Sequence, residues 1–593
     1  MFRADSSRSV HGDTVAPIPP SRVDAFQRRS RLPALLVGAL AVATACAGTS
    51  GEGEADNAPD GAPSTTVEAR PGVNNGTVAP TTAPADPIAG GILRFAPGQV
   101  GSTLDPTSTE FNAAERTVTN AVFDTLTAID VDGRPVPYLA ESLEPVFGDL
   151  SIWRMTLRRD VVFHDGTPLD AAAVVTNFEA QRADPTVGVI IRADYVDFAP
   201  AIAIDERTVE YRLRDQNGAF AARLAGPEGI VASPTWLAAT VADPDLRGTP
   251  IGTGPFVFTD RTDRFIRVDR NADWWGGDVY LDAIEFITDI DSLGRTAPEL
   301  LAAGDLDGMQ SSDPTVVAEL LELGDMTTTV DIADDVALVI VNTQSPPFDD
   351  LRARRALTLA TPLEAVRSAL GGDGAVEATQ RFAPDSPYFE PGLRQLGDAP
   401  ERATPLIAAV CFERPDDCVD GRIAVNLPYP AASTPPAAID ALVEGWSAAG
   451  FDVTVEPLDD AAHRSRVGLG AYDATVWQQF GAVDPAIDNV RLFCRNVGAV
   501  SLNWSRLCDL DRDAQLLQAQ SNTDPETRTP YYRSVSTAMT ESYAYVFLTH
   551  DEWAYSFAPN VGGVCERTAP DGAALGCTSP SGGTWLTSTW FTG

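Results

Sequence analysis

Ile423, Val425 and Leu427 alternate as a strand does. Ile439, Leu442, Val443 and Trp446 then recur at i, i+3, i+4 and i+7, and Phe451, Val453 and Val455 alternate again. A period of two that gives way to one near 3.6 and then returns reads as strand, helix, strand, with Gly450 where the helix needs a C-cap. Such a unit needs parallel strands and a right-handed crossover, so this part of the chain must lay helices on a sheet. Neighbouring segments agree. Asp349 or Asp350 caps a helix carrying Leu351, Ala356, Leu357 and Ala360, which Pro362 stops. Asp524 followed by Pro525 is an N-cap with proline at the first helical position, ahead of Tyr532, Val535 and Met539. In the first half, Ile92 to Phe95 reads as a strand, Trp153 to Arg158 as a half-buried strand, and Val161 to Asp170 as a strand, turn and helix start. The fold class expected is α/β.

The chain has 593 residues, enough for three or four domains or one large two-lobed body. With 44% hydrophobic and 21% charged residues it lies in the globular range, which excludes a mainly disordered, collagen-like or coiled-coil chain. Its formal charge is -40, and all 43 basic residues are arginine. A polyanion repels phosphate backbones and anionic lipid, so nucleic-acid binding and polybasic membrane attachment are not expected. The acidity reads as a solubility adaptation and assigns no function.

Arg22, Arg28, Arg29 and Arg31 precede an apolar run from Leu32 to Ala45, too short to cross about 30 Å of hydrocarbon as a helix. Residues 1–45 are therefore expected to be an export signal, with Sec export the default. Val42-Ala43-Thr44-Ala45-Cys46 resembles the bacterial lipobox, which makes Cys46 the expected site of lipidation. Residues 46–88, poor in large apolar side chains, are expected to form a disordered stalk. Export also bears on the other cysteines, Cys411, Cys418, Cys494, Cys508, Cys565 and Cys577. In an oxidising compartment six cysteines read as three disulfides; 15 connectivities are open, and nearest-neighbour pairing is the simplest. No CxxC spacing and no nearby histidine points to a metal site.

A collinear set of blocks then becomes readable. Leu157 to Val175 is followed by Gly252-Thr253-Gly254-Pro255-Phe256, Arg270 to Gly277, Leu300 to Asp307, Asn342-Thr343, Pro346 to Arg352, Arg355-Ala356-Leu357, Tyr472-Asp473-Ala474, Asp484-Pro485 and Thr523 to Glu526. This set resembles the family 5 extracellular solute-binding proteins, the oligopeptide and dipeptide receptors of ABC importers. The resemblance implies a two-lobed periplasmic-binding-protein (Venus-flytrap) fold with mixed sheets and lobes joined by a hinge. It places lobe 1 at residues 89–332 and 556–593, with an inserted subdomain at about 131–250, and lobe 2 at 333–555. It also implies a monomeric receptor, without cofactor, that presents a small-molecule or peptide solute to a membrane permease.

No nucleophile-base pair, HExxH, Walker or GxGxxG element is present, and the histidines are only His11, His164, His463 and His550, the last expected to end an aromatic strand. A secreted hydrolase is therefore the least supported reading, and a lipid-anchored sensor or envelope-interaction protein of the same fold is the alternative. For a binding protein the informative stretch is Trp477, Gln478, Gln479, Phe480 and Gly481, running on to Asp484. There a strand ends in a polar and aromatic loop, which at the carboxyl edge of a sheet faces a crevice. Asn503 and Trp504 are candidates of the same kind. In the peptide-binding relatives an Asp three residues before the Asp/Glu-Pro pair holds the ligand's α-ammonium, and here that position is Gly481. The expectation is a site lacking that carboxylate, with weak binding of free-amine peptides.

Overall fold

The computed structural model describes residues 87–592 apart from Thr109, 373–374 and 579–581. The signal, Cys46 and all but the last two residues of the stalk lie outside the described residues.

One nine-stranded mixed sheet runs through the molecule. Its order is Ala474–Gln479, Thr327–Val341, Tyr545–Phe557, Gly308–Ser311, Ile92–Ala96, Ala283–Ile287, Phe265–Arg270 and Phe256–Arg261, with Val376–Glu377 added on Tyr545–Phe557. Ile92–Ala96 is parallel to both its neighbours, and the other pairs are antiparallel. Two of these strands are long enough to serve two cores. Thr327 to Val330, paired with Ala554 to Phe557, lies by the core of Leu93, Phe95, Val122, Phe286 and Tyr555. Val336 to Val341, paired with Tyr545 to His550, lies between two further cores. Val339 and Val341 face one with Trp446 and Phe451, while Val336, Leu338 and Ile340 face another with Tyr532 and Phe547. A strand buried on both faces must be apolar at every position, which is why this segment reads VALVIV. Between the two halves the register slips at Ile332/Val336, and there the sequence turns acidic, with Asp331 and Asp335 on one strand and Asp551 and Glu552 on the other. Here both strands pass from the first core to the other two.

The strand-helix-strand unit forms as its periodicity requires. Arg422–Pro430 and Phe451–Leu458 are parallel with helix Pro436–Ala449 between them, and Gly450 ends the helix at φ 120°. Asp350 is the cap of helix Leu351–Ala360, and Asp524 caps Pro525–Glu541. Asp170 caps helix Ala171–Ala183. A fourth core, with Trp153, Phe163, Phe178 and Tyr211, fills the inserted region. This region touches the second half of the chain directly: Arg495 pairs with Asp215 at 2.7 Å, and the Gly218 amide donates to the Gln520 carbonyl at 2.6 Å.

Two local expectations are corrected. Val161 to Phe163 makes only an isolated bridge, Val162 to Pro168, because the Phe163 and Leu169 amides are spent inside the turn, on Thr167 and Val161. His550 does not end its strand, which continues to Phe557 because it must pass from one core to the next. The cysteines pair Cys411 with Cys418, Cys494 with Cys508 and Cys565 with Cys577, the nearest-neighbour set.

Candidate ligand-binding site

Several blocks that stand out in the sequence prove to be scaffold. The Asp124 carboxylate accepts from Trp275 Nε1 at 2.7 Å, Trp274 Nε1 at 3.3 Å and Thr253 Oγ1 at 3.0 Å, so it ties two distant turns together. His164 Nε2 lies 3.0 Å from the Gly254 carbonyl, joining the first turn block to the second. His463 stacks on Trp477 with ring centroids 4.9 Å apart and reaches Thr475 Oγ1 at 2.7 Å. Burial pushes its pKa down to about 4, so it is neutral.

The expected ligand residues divide into two groups. Trp477 and Trp504 do meet, 5.3 Å between rings, with His463 stacked on the first and edge-on to the second. Asn503 is fully buried, and its amide donates to the Leu492 and Leu507 carbonyls at 2.8 and 3.0 Å, which makes it a brace for its own loop. Asp484 is corrected likewise. Both its oxygens accept from the Arg528 guanidinium, and Oδ1 also accepts from the Ala486 amide at 2.8 Å, so it is an internal anchor of the loop. Gln479 is buried.

The second group converges on the crossing strands. Gln478 is exposed, and its amide donates to Asp551 Oδ2. Phe480 turns the chain with φ +77°, and Gly481 follows. A Cβ built on Gly481 would land on the carboxylate of Asp335. The space that a side chain on Gly481 would take is thus filled by an acid from the neighbouring strand.

The charges here are coupled. Burial, and then the negative charge of Asp335, push Asp551 up to about 7 against the Gln478 amide, which lowers it. Burial also raises Asp331, helped by Asp385 and opposed by the Thr578 hydroxyl, which donates to it at 3.1 Å. Arg116 on helix Ala113–Val122 is held by the Phe111 carbonyl at 3.1 Å and feels the charge of Asp335. Asp331, Asp335 and Asp551 thus gather near the register slip, with the charge of Arg116 acting on Asp335. These acids were missed in the sequence, where their signal is acids set inside apolar strands, as in DIADDVALVIV and FLTHDEWAYSF.

Comparison with known proteins fits this architecture. Residues 134–500 match the family described as bacterial extracellular solute-binding proteins, family 5 Middle. The chain is 26% identical over 446 residues to di/tripeptide-binding protein 2 of Pseudomonas aeruginosa, covering 70% of this chain and 81% of that one. It is 25% identical over 499 residues to heme-binding protein A of Haemophilus influenzae, covering 77% and 85%. Among solved structures, the periplasmic binding protein DppA from Helicobacter pylori, in complex with the peptide STSA, superposes with a TM-score of 0.68 at 18% identity, covering 85% of this chain and 99% of that one. AgaA from A. tumefaciens, in complex with agropinic acid, gives 0.68 at 21%, covering 84% and 99%. The family consists of extracytoplasmic binding proteins that work with ABC permeases. The chain belongs to the bacterial extracellular solute-binding proteins of family 5, and it is a two-lobed solute-binding receptor of an ABC importer.

Proposed function

We propose that the solute is a short peptide or peptide-like molecule with a free ammonium group, held at the hinge by Asp335 with Asp551 and Gln478 beside it. The observation that carries this reading is the Asp335 carboxylate standing where a side chain on Gly481 would stand. The two half-buried carboxylates repel one another, and an ammonium between them relieves that repulsion. Relatives named for di- and tripeptides, and a structural neighbour holding a tetrapeptide, support the ligand class. The receptor acts as a monomer without chemistry of its own, and the solute favours the closed state by its higher affinity for it. Cys46 tethers it to the outer face of the membrane through lipid. Cys46→Ala should release the protein into the medium or leave it unprocessed, and unchanged partitioning into detergent would contradict the anchor.

Native mass spectrometry of protein purified from its own host tests the ligand class. The expected result is a retained solute carrying a primary amine; a retained solute without one would overturn the reading.

The site also predicts a pH dependence. An ammonium favours ionised Asp551, so protonation of that group competes with binding. Since Asp551 is pushed up to about 7, affinity should fall as pH drops through 7, approaching about tenfold per pH unit for one linked proton. A peptide amine titrates near 7.7–8.0, so affinity should also fall above about pH 8. The sign for stability is opposite. A carboxylate raised in the folded state favours folding below its unfolded value of 3.8, and that contribution is lost as pH rises toward 7. Calorimetric titrations from pH 5 to 9 on wild type and Asp551→Asn check this, and the acid limb should vanish in the variant.

A further inference from the structure

The ligand loop is held in a conformation that its own sequence does not favour. Phe480 sits at φ +77°, a region that disfavours a bulky residue and persists only where the surroundings impose it. The surroundings here centre on one buried cation. The Arg381 guanidinium lies 4.8 Å from the centroid of the Phe480 ring, 4.9 Å from that of Phe382 and 5.9 Å from that of Tyr532. Its Nη2 donates to the Pro485 carbonyl at 3.1 Å. Arg381 is 1% exposed and Phe480 4%. It therefore grips both ends of the 480–485 loop, the ring at the start and the carbonyl at the finish. Within the loop, Asp484 is fixed by Arg528, which lies 5.2 Å from the Tyr532 centroid, and the Ala482 amide donates to Asp488 Oδ2 at 3.2 Å. Gly481 is the residue next to the gripped ring, and it is Gly481 that makes room for Asp335.

A methionine would fill the same volume without the cost of burying a charge. It could neither face three rings nor donate to a carbonyl. Lysine keeps the charge but loses the planar fork and its weak hydration. We infer that Arg381 is a positioning residue for ligand recognition: by holding Phe480 and Pro485 it sets Gly481 against Asp335 and so fixes the carboxylate that meets the solute's ammonium. This inference rests on the ammonium reading above.

The test measures the ratio of dissociation constants for trialanine and N-acetyl-trialanine in wild type, Arg381→Lys, Arg381→Met, Phe480→Gly and the Phe480→Gly/Arg381→Lys double variant. Loss of stability alone leaves that ratio unchanged. The expected result is a wild-type ratio of about ten or more, falling to less than about threefold in both Arg381 variants. In the Phe480→Gly background, where glycine adopts positive φ freely, Arg381→Lys should change the ratio by less than about twofold. If Arg381→Met does not fold, the lysine cycle decides. Retention of the wild-type ratio in Arg381→Lys would overturn the positioning role while leaving the ammonium reading intact, as would an equal fall of the ratio with and without the Phe480 ring. A wild-type protein that binds both peptides equally would overturn the ammonium reading, and this inference with it.

Discussion

Asp335→Asn should weaken binding of a free-amine tripeptide by about ten- to a hundredfold while changing the affinity for its N-acetylated form by less than about threefold. The magnitude is that of one charge-assisted contact, about 1.5–3 kcal/mol. The substitution keeps the shape of the side chain, so the close approach to Gly481 is preserved. It also removes the charge that helps to raise Asp551, so the folded protein loses a repulsion. Arg116 loses the charge of Asp335 in the same step, so it is the retained affinity for the N-acetylated form that separates loss of recognition from loss of fold. Calorimetric titration beside a melting curve reads both.

Gly481→Asp should abolish detectable binding or lower the melting temperature by several degrees. The sequence taken alone suggests the reverse, because this change places an acid where the peptide-binding relatives have one. In the folded protein that space is filled. The backbone of Gly481 is one that any residue can adopt, so the obstacle is not its conformation, but an added Cβ meets the Asp335 carboxylate. A second acid beside Asp335 and Asp551 adds repulsion to the clash. The double variant Gly481→Asp/Asp335→Ala removes both, and it should bind the free-amine tripeptide within about tenfold of wild type. Failure of the double variant to recover, with the single Asp335→Ala folded, would mean that the two positions do not share one place.

Much of the scaffold is legible in the sequence, since it depends on local period and capping. The strand-helix-strand unit from Arg422 to Leu458, the caps Asp350 and Asp524 and the helix after Asp170 each follow from residues within a few positions of one another. The site is less legible. Gln478 and Gly481 are visible as the end of a strand, but their partners Asp551 and Asp335 come from two other strands. Their meeting is decided by the antiparallel register of Thr327–Val341 and Tyr545–Phe557 and by its slip between Ile332 and Val336. Periodicity reports which face a residue takes, not which distant residue stands opposite. The same limit explains Asp484, which looks available in the loop but is claimed by Arg528 from helix Pro525–Glu541. Arg381, in irregular chain beneath the loop, has no local signature at all.

The proposed role of Asp335 at the hinge is to receive the solute's ammonium group. Its most direct measurement is a pair of calorimetric titrations of the wild-type receptor at pH 7.5, one with trialanine and one with N-acetyl-trialanine. Micromolar or tighter binding of the free amine is expected, with binding at least about tenfold weaker for the acetylated peptide. Equal affinities for the two, or tighter binding of the acetylated form, would contradict it.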